Sequence, residues 1–175
     1  MYTVLLVDDE RSVIDSLKSE IPWENLGVKT IYTASDGLQA LDLIHAHSID
    51  LLITDIRMPR MDGLELLSTL RKENSQVHCI LLTAYGEFEY AKQAFSLGVE
   101  NYLLKPMQTQ ELMQSVENAL ENLYANRKNR SDLFRENILR RWLLGSISSD
   151  ELGEKTIYLD INIYQKEYCI LAMKK

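Results

Sequence analysis

Two adjacent carboxylates at Asp8 and Asp9, a third at Asp55, a hydroxyl at Thr83 and an ammonium at Lys105 invite a common explanation in this 175-residue chain. Counted from Asp9, the steps between them are 46, 28 and 22 residues. Singly, each has an ordinary use. Asp8 or Asp9 could cap a helix, since aspartate accepts from the free N–H groups of a first turn. Asp55 could cap a turn, Thr83 could close a strand, and Lys105 could sit in solvent. As a set they read differently. Carboxylates brought together repel and raise a pKa unless a cation lies near. A hard divalent cation relieves this, and Mg²⁺ suits one or two carboxylates plus phosphate oxygens. A lysine offers a point charge to a phosphoryl oxygen, and a threonine hydroxyl can donate to another. The set describes phosphoryl transfer to a carboxylate nucleophile.

Such residues meet only if the elements before them bring them to one place. Residues 3–7 (TVLLV) form a short, continuous apolar run, as expected of a strand buried on both faces. Similar runs occur at 28–34 (VKTIYTA), 50–54 (DLLIT), 77–82 (VHCILL) and 100–104 (ENYLL). Between them apolar residues recur at helical spacing. Val13, Ile14, Leu17 and Ile21 mark a helix over 11–21, and Leu38, Leu41 and Ile44 mark one opened by Ser35-Asp36-Gly37. Leu64, Leu67 and Leu70 mark a third, 87–97 a fourth capped by Gly98, and Leu112, Val116, Leu120 and Leu123 a fifth over 109–124. Strands alternating with helices imply an α/β fold: a five-stranded parallel sheet, doubly wound, with right-handed crossovers. Open sheets of this kind bind ligands beyond the carboxyl ends of their strands. Asp8-Asp9, Asp55, Thr83 and Lys105 each follow or close a predicted strand, so one rim receives them all.

Composition bounds the function class. The chain is 46% hydrophobic and 26% charged, as in soluble globular proteins. No apolar run approaches the ~18 residues that cross a bilayer. The N-terminus lacks a basic segment before its apolar run, so it does not read as a secretory signal. Cys79 and Cys169 lie far apart in apolar runs without metal-ligand spacing, which suits buried thiols and a cytoplasmic protein. Residues 1–124 carry 9 Lys/Arg and 19 Asp/Glu, a net charge of −10, whereas 125–175 carry a net charge of +3. The acidic part is a poor direct partner for nucleic acid.

At these residues the sequence resembles the receiver domain of two-component response regulators over about 1–124. The motifs that carry the likeness are "VLLVDDE", "ITDIRMPRMDG", "LLTAYGE" and "YLLKP", in order. The resemblance implies a (βα)5 flavodoxin-like fold in which Asp55 is the phosphoacceptor for a sensor histidine kinase. It implies Mg²⁺ held by Asp8, Asp9, Asp55 and the backbone carbonyl of Arg57, with Asp9 the better match to a direct ligand. Thr83 matches a switch hydroxyl that moves toward the phosphoryl group, Lys105 a phosphate-pairing lysine with a cis bond to Pro106, and Tyr102 an aromatic switch. Arg57 and Tyr85 match positions that tune loss of the phosphoryl group, and small Ala84 leaves access for a donor. Such a domain is a signalling module that catalyses only its own phosphoryl transfer and slow autodephosphorylation. A metal-dependent phosphatase with an aspartate nucleophile would carry a second carboxylate two residues on, where this chain has Arg57.

Residues 125–175 are expected to be a mainly helical linker and the start of an incomplete connector. Ser131-Asp132 could cap a new helix ending at Gly145, or one helix could run on through the polar patch at 126–130. A continuous helix could pair with a second copy as a homodimer; a short one could fold back on its own domain. Ser149-Asp150-Glu151 suggests a further helix start, and 168–173 (YCILAM) a strand. "LRRWLLGSISSDEL" and "INIYQKEYCILAMKK" resemble the connector of regulators that end in an AraC-type DNA-binding domain. That likeness implies transcriptional output and promoter DNA as a partner only through a domain beyond this chain. The alternative is a stand-alone phosphoryl shuttle, which needs no such extension.

Overall fold

A computed structural model of the chain describes residues 1–84, 88–144 and 146. Among the described residues five strands alternate with five helices in chain order: β1 (Tyr2–Val7), α1 (Arg11–Glu20), β2 (Val28–Ala34), α2 (Gly37–Ala46) and β3 (Leu51–Asp55). These are followed by α3 (Gly63–Lys72), β4 (His78–Thr83), α4 (Phe88–Ser96), β5 (Asn101–Leu104) and α5 (Thr109–Leu143). All pairings are parallel, in the order β2-β1-β3-β4-β5. The chain steps from β1 to β2 on one side and then crosses back from β2 to β3 on the other side of β1, so the topological switch lies between β1 and β3.

The continuous apolar runs at β1, β3 and β4 are explained by burial on both faces. Val4, Leu6, Leu51, Ile53, Ile80 and Leu82 pack with α1 and α5 through Ile14, Leu17, Leu112, Val116 and Leu120. Their neighbours Leu5, Val7, Leu52, Cys79 and Leu81 pack on the opposite face with Ala40 of α2, Leu66, Leu67 and Leu70 of α3, and Ala94 of α4. Period-two alternation thus divides each central strand between two helical layers. Leu38 departs from the helical stripe expected of it. It sits in the first turn of α2 and is 42% exposed, while Ala40 is fully buried.

Caps fix where the helices begin. Asp36 accepts from the N–H groups of Leu38 and Gln39 at 2.9 and 3.0 Å. Asp62 and Glu65 form a reciprocal capping box at the start of α3. Gly98, with φ +69°, follows the end of α4 as expected.

The chain divides into two compact units, Met1–Leu123 and Tyr124–Lys175. Within the second unit the described residues are helical to Leu143, and α5 has no break at Ser131-Asp132. Of the two readings of this stretch, the uninterrupted helix is therefore the one adopted. Leu133 and Leu144 are exposed and Ile138 is buried. The helix start expected at Ser149 and the strand expected at 168–173 lie outside the described residues, as does Gly145. No helix among the described residues is long and apolar enough to cross a membrane.

Candidate functional site

Asp55 is the last residue of β3 and is held from behind by backbone. The Ile56 N–H donates to the Leu82 carbonyl at 3.0 Å, and the Gly63 N–H donates to the Ile56 carbonyl at 2.8 Å. Gly63 packs so closely that a Cβ there would stand 2.2 Å from the Asp55 carbonyl oxygen. Only glycine allows this approach. The Asp62-Gly63 pair therefore does two separate jobs. Asp62 caps α3, and Gly63 lets α3 begin directly against the backbone of Asp55.

Strand register brings the other groups to Asp55. Val7 pairs with Thr54, Asp55 with Leu82, and Thr83 with Leu104. Asp8, Thr83 and Lys105 are thus each one step beyond a paired residue, on neighbouring strands at one rim. Lys105 Nζ lies 2.6 Å from Asp8 Oδ2 and 2.6 Å from Asp55 Oδ1. The remaining carboxylate oxygens accept from backbone: Asp55 Oδ2 from the Arg57 N–H at 2.7 Å, and Asp8 Oδ1 from the Glu10 N–H at 3.0 Å. Asp8 therefore binds the start of α1, but Glu10, not Asp8 or Asp9, holds the N-cap position.

The site is shielded enough for these charges to matter. Asp8 is 2% exposed, Asp55 7% and Thr83 1%. Burial pushes the Asp55 carboxyl above the ordinary aspartate range, although Lys105 and the Arg57 N–H pull the other way; the charge on Asp8 adds to the rise. For Lys105, burial alone would lower the pKa. Its hydrogen bonds to Asp55 and Asp8 outweigh that and hold it above the usual lysine range. The ammonium stays charged between the two carboxylates that share it.

The residues singled out by sequence are not all in contact. Asp8, Asp55 and Lys105 meet directly. Thr83 is buried at the adjacent strand end, where its carbonyl accepts from the Lys105 N–H at 2.7 Å. Asp9 is exposed on the loop after Asp8. Tyr102 is half-buried and packs with the α2–α4 layer. The Lys105–Pro106 bond is cis, as the resemblance implied. Tyr85 lies outside the described residues.

Two contacts had no local signal in the sequence. Arg60 pairs with the buried carboxylate of Asp36, tying the loop after β3 to α2. The Arg57 guanidinium donates to the Tyr90 hydroxyl on α4 at 2.7 Å, its Cζ 5.4 Å from the ring centroid. Residues 24 and 33 apart reveal such pairs only once folded.

A groove of about 530 Å³ runs up to Lys105 between α1 and the loop after β5, lined by Val13, Leu17, Ala84, Pro106 and Met107 among others. Among the described residues no three His, Cys, Asp or Glu side chains converge as a metal cluster. Asp8 and Asp55 nevertheless fit a hard divalent cation. Both aim a carboxylate oxygen at one cationic centre, and Mg²⁺ needs only one or two carboxylates with water and phosphate oxygens.

Residues 4–117 match the family described as the response regulator receiver domain. Over 123 residues the chain is 42% identical to the transcriptional regulatory protein YesN of Bacillus subtilis, covering 70% of this chain and 33% of that one. It is 45% identical over 112 residues to the transcriptional regulatory protein HptR of Staphylococcus aureus, covering 64% and 44%. The chain thus spans between a third and a half of these curated relatives. Among solved structures it resembles the receiver domain of AraT, a response regulator from Geobacillus stearothermophilus. The two are 36% identical with a TM-score of 0.67, over 72% of this chain and 98% of that one. It also resembles a two-component transcriptional regulator AraC from Clostridium phytofermentans, at 31% identity and a TM-score of 0.67, over 73% and 98%.

Proposed function

The chain belongs to the response regulator receiver domain family, and from that premise we propose that Asp55 accepts a phosphoryl group from a sensor histidine kinase and that this switches a transcriptional output. The observation that carries the reading is the single ammonium of Lys105 held 2.6 Å from both Asp8 and Asp55. In the transfer, an oxygen of the Asp55 carboxylate forms a bond to phosphorus as the bond from phosphorus to the donor's imidazole nitrogen breaks. The imidazole leaves and takes up a proton. Lys105 exchanges its contact with Asp55 Oδ1 for a phosphoryl oxygen and so follows the charge rather than meeting it anew. Asp8, Asp9, Asp55 and the backbone carbonyl of Arg57 would hold Mg²⁺, which neutralises phosphoryl charge when bound. Thr83 is the hydroxyl that moves to the phosphoryl group, and Tyr102 the ring that responds. The groove beside Lys105 suits the approach of a helical donor with an apolar face.

Residues 1–124 constitute the phosphoacceptor domain, and 125–175 lead to an output region of the AraC-type regulators. Promoter DNA is then met by that region and not by the acidic receiver, whose work lies in the cytoplasm. Homodimerisation is a further part of this reading, with the long α5 as its candidate element. The test is incubation with Mg²⁺ and a small acyl phosphate, followed by intact mass. One added phosphoryl group is expected on the wild type and none on Asp55→Asn. A wild type that takes no adduct from any donor sinks the reading, as does an adduct retained by Asp55→Asn.

A further inference from the structure

Thr54 places a hydroxyl in the strand that leads to the acceptor, directly after Leu51-Leu52-Ile53. The residue is fully buried, at 0% exposure. A buried hydroxyl costs free energy unless it is hydrogen-bonded. Valine has the same branched shape and would fill the place with no hydroxyl to desolvate. The bond that Thr54 makes is to the backbone of the acceptor itself: its Oγ1 donates to the Asp55 carbonyl at 2.9 Å.

That carbonyl is constrained from more than one side. Gly63 approaches it so closely that a Cβ there would stand 2.2 Å from the oxygen. At the far end of the same peptide group, the Ile56 N–H donates to the Leu82 carbonyl at 3.0 Å. The plane between Asp55 and Ile56 is therefore held by its oxygen and by its hydrogen. The torsion that turns this plane about the Asp55 Cα also sets where the Arg57 N–H points. That N–H closes a side-chain turn by donating to Asp55 Oδ2 at 2.7 Å. With Oδ2 held there, Oδ1 faces the Lys105 ammonium, 2.6 Å away.

We propose that Thr54 is a positioning residue for phosphoryl transfer: its hydroxyl locks the Asp55 carbonyl, and through the Arg57 N–H this lock orients the Asp55 carboxylate for attack on phosphorus. The proposal rests on the phosphoacceptor reading and deepens it. Being buried, Thr54 acts through Asp55 and not on the donor. A nucleophile held near its attacking geometry reacts faster than one that must find it. Lys105 and the Arg57 N–H still contact the carboxylate when the hydroxyl is gone, so the effect is partial. It amounts to about tenfold in labelling rate, or ~1.4 kcal/mol in the barrier.

Two variants of the whole chain separate positioning from packing. Thr54→Val keeps the shape and removes the hydroxyl, whereas Thr54→Ser keeps the hydroxyl and removes a buried methyl group. Each is incubated with Mg²⁺ and acetyl phosphate, and intact mass gives the labelling rate. Hydrogen exchange read by NMR follows the Arg57 amide, and urea unfolding shows each variant native under the assay conditions. Thr54→Val should label about tenfold more slowly than wild type, and its Arg57 amide should exchange faster. Thr54→Ser should label within about twofold of wild type, because the hydrogen bond is retained. Wild-type labelling by Thr54→Val overturns the proposal while leaving the phosphoacceptor reading intact. So does a Thr54→Ser variant as slow as Thr54→Val, or an Arg57 amide that exchanges alike in all three proteins. If the wild type takes no adduct at all, the phosphoacceptor reading fails and the positioning role fails with it.

Discussion

Replacing Lys105 by methionine should expose how much repulsion the site restrains. The two carboxylate oxygens that share its ammonium each lie 2.6 Å from it, so they are at most twice that distance apart. At about 5 Å and an effective dielectric of about 20, two unit charges repel by roughly 3 kcal/mol. Methionine keeps most of the stem's volume, so lost packing adds little, and breaking a buried pair by removing one partner costs about 3–5 kcal/mol in general. Lys105→Met should therefore lose about 3 kcal/mol at neutral pH without divalent cations, measured by urea unfolding. The loss must depend on pH. Burial already holds the Asp55 carboxyl above its ordinary range, and removing Lys105 takes away the influence that opposed it. The folded state then binds a proton more tightly than the unfolded chain, so the penalty is absent at acid pH. It grows as pH rises past the unfolded carboxylate pKa of about 4 and is complete above the folded value. Asp55→Asn in the same background should restore most of the stability, since one charge no longer faces another. A pH-independent loss below about 1 kcal/mol would refute the reasoning, and so would a double variant no more stable than Lys105→Met.

Other expectations can be checked with the same tools. Gly63→Ala forces a methyl group toward the Asp55 carbonyl oxygen, 2.2 Å from where the Cβ would lie. It should cost about 1–3 kcal/mol or more and slow acyl-phosphate labelling, because α3 must move off the acceptor. Leu67→Ala, at a fully buried position in the α2–α4 layer, should cost about 2–5 kcal/mol in urea unfolding. Cys79 is fully buried, and burial pushes its thiol to about 12. Peptide mapping after alkylation at mildly alkaline pH should find Cys79 unmodified in the native protein and modified in urea.

Much of the architecture was legible because it is written locally. Period-two and helical spacings mark elements whose faces are set within a few residues, and Asp36 and Gly98 act at the ends they were read to mark. The families of motifs around Asp55, Thr83 and Lys105 also announced a shared rim, since a parallel sheet delivers all its carboxyl ends to one side. Capping was less legible. Asp8-Asp9 read equally well as a cap, and only the fold showed Asp8 paired with Lys105 while Glu10 takes the N-cap place.

The sequence by itself determined the order of strands and helices and which polar side chains would leave each strand, because both follow from backbone geometry over a turn or a pleat. Tertiary structure decided who meets whom. The order β2-β1-β3-β4-β5 makes β1 and β3 neighbours, and that adjacency brings Asp8 within reach of the ammonium that also holds Asp55, 47 residues further along. It also decided that Leu38, on an apolar stripe, lies at the surface, that α5 continues past Ser131, and that Arg57 finds Tyr90. Such pairings depend on register and on layers closing over one another. No window of a few residues contains that information.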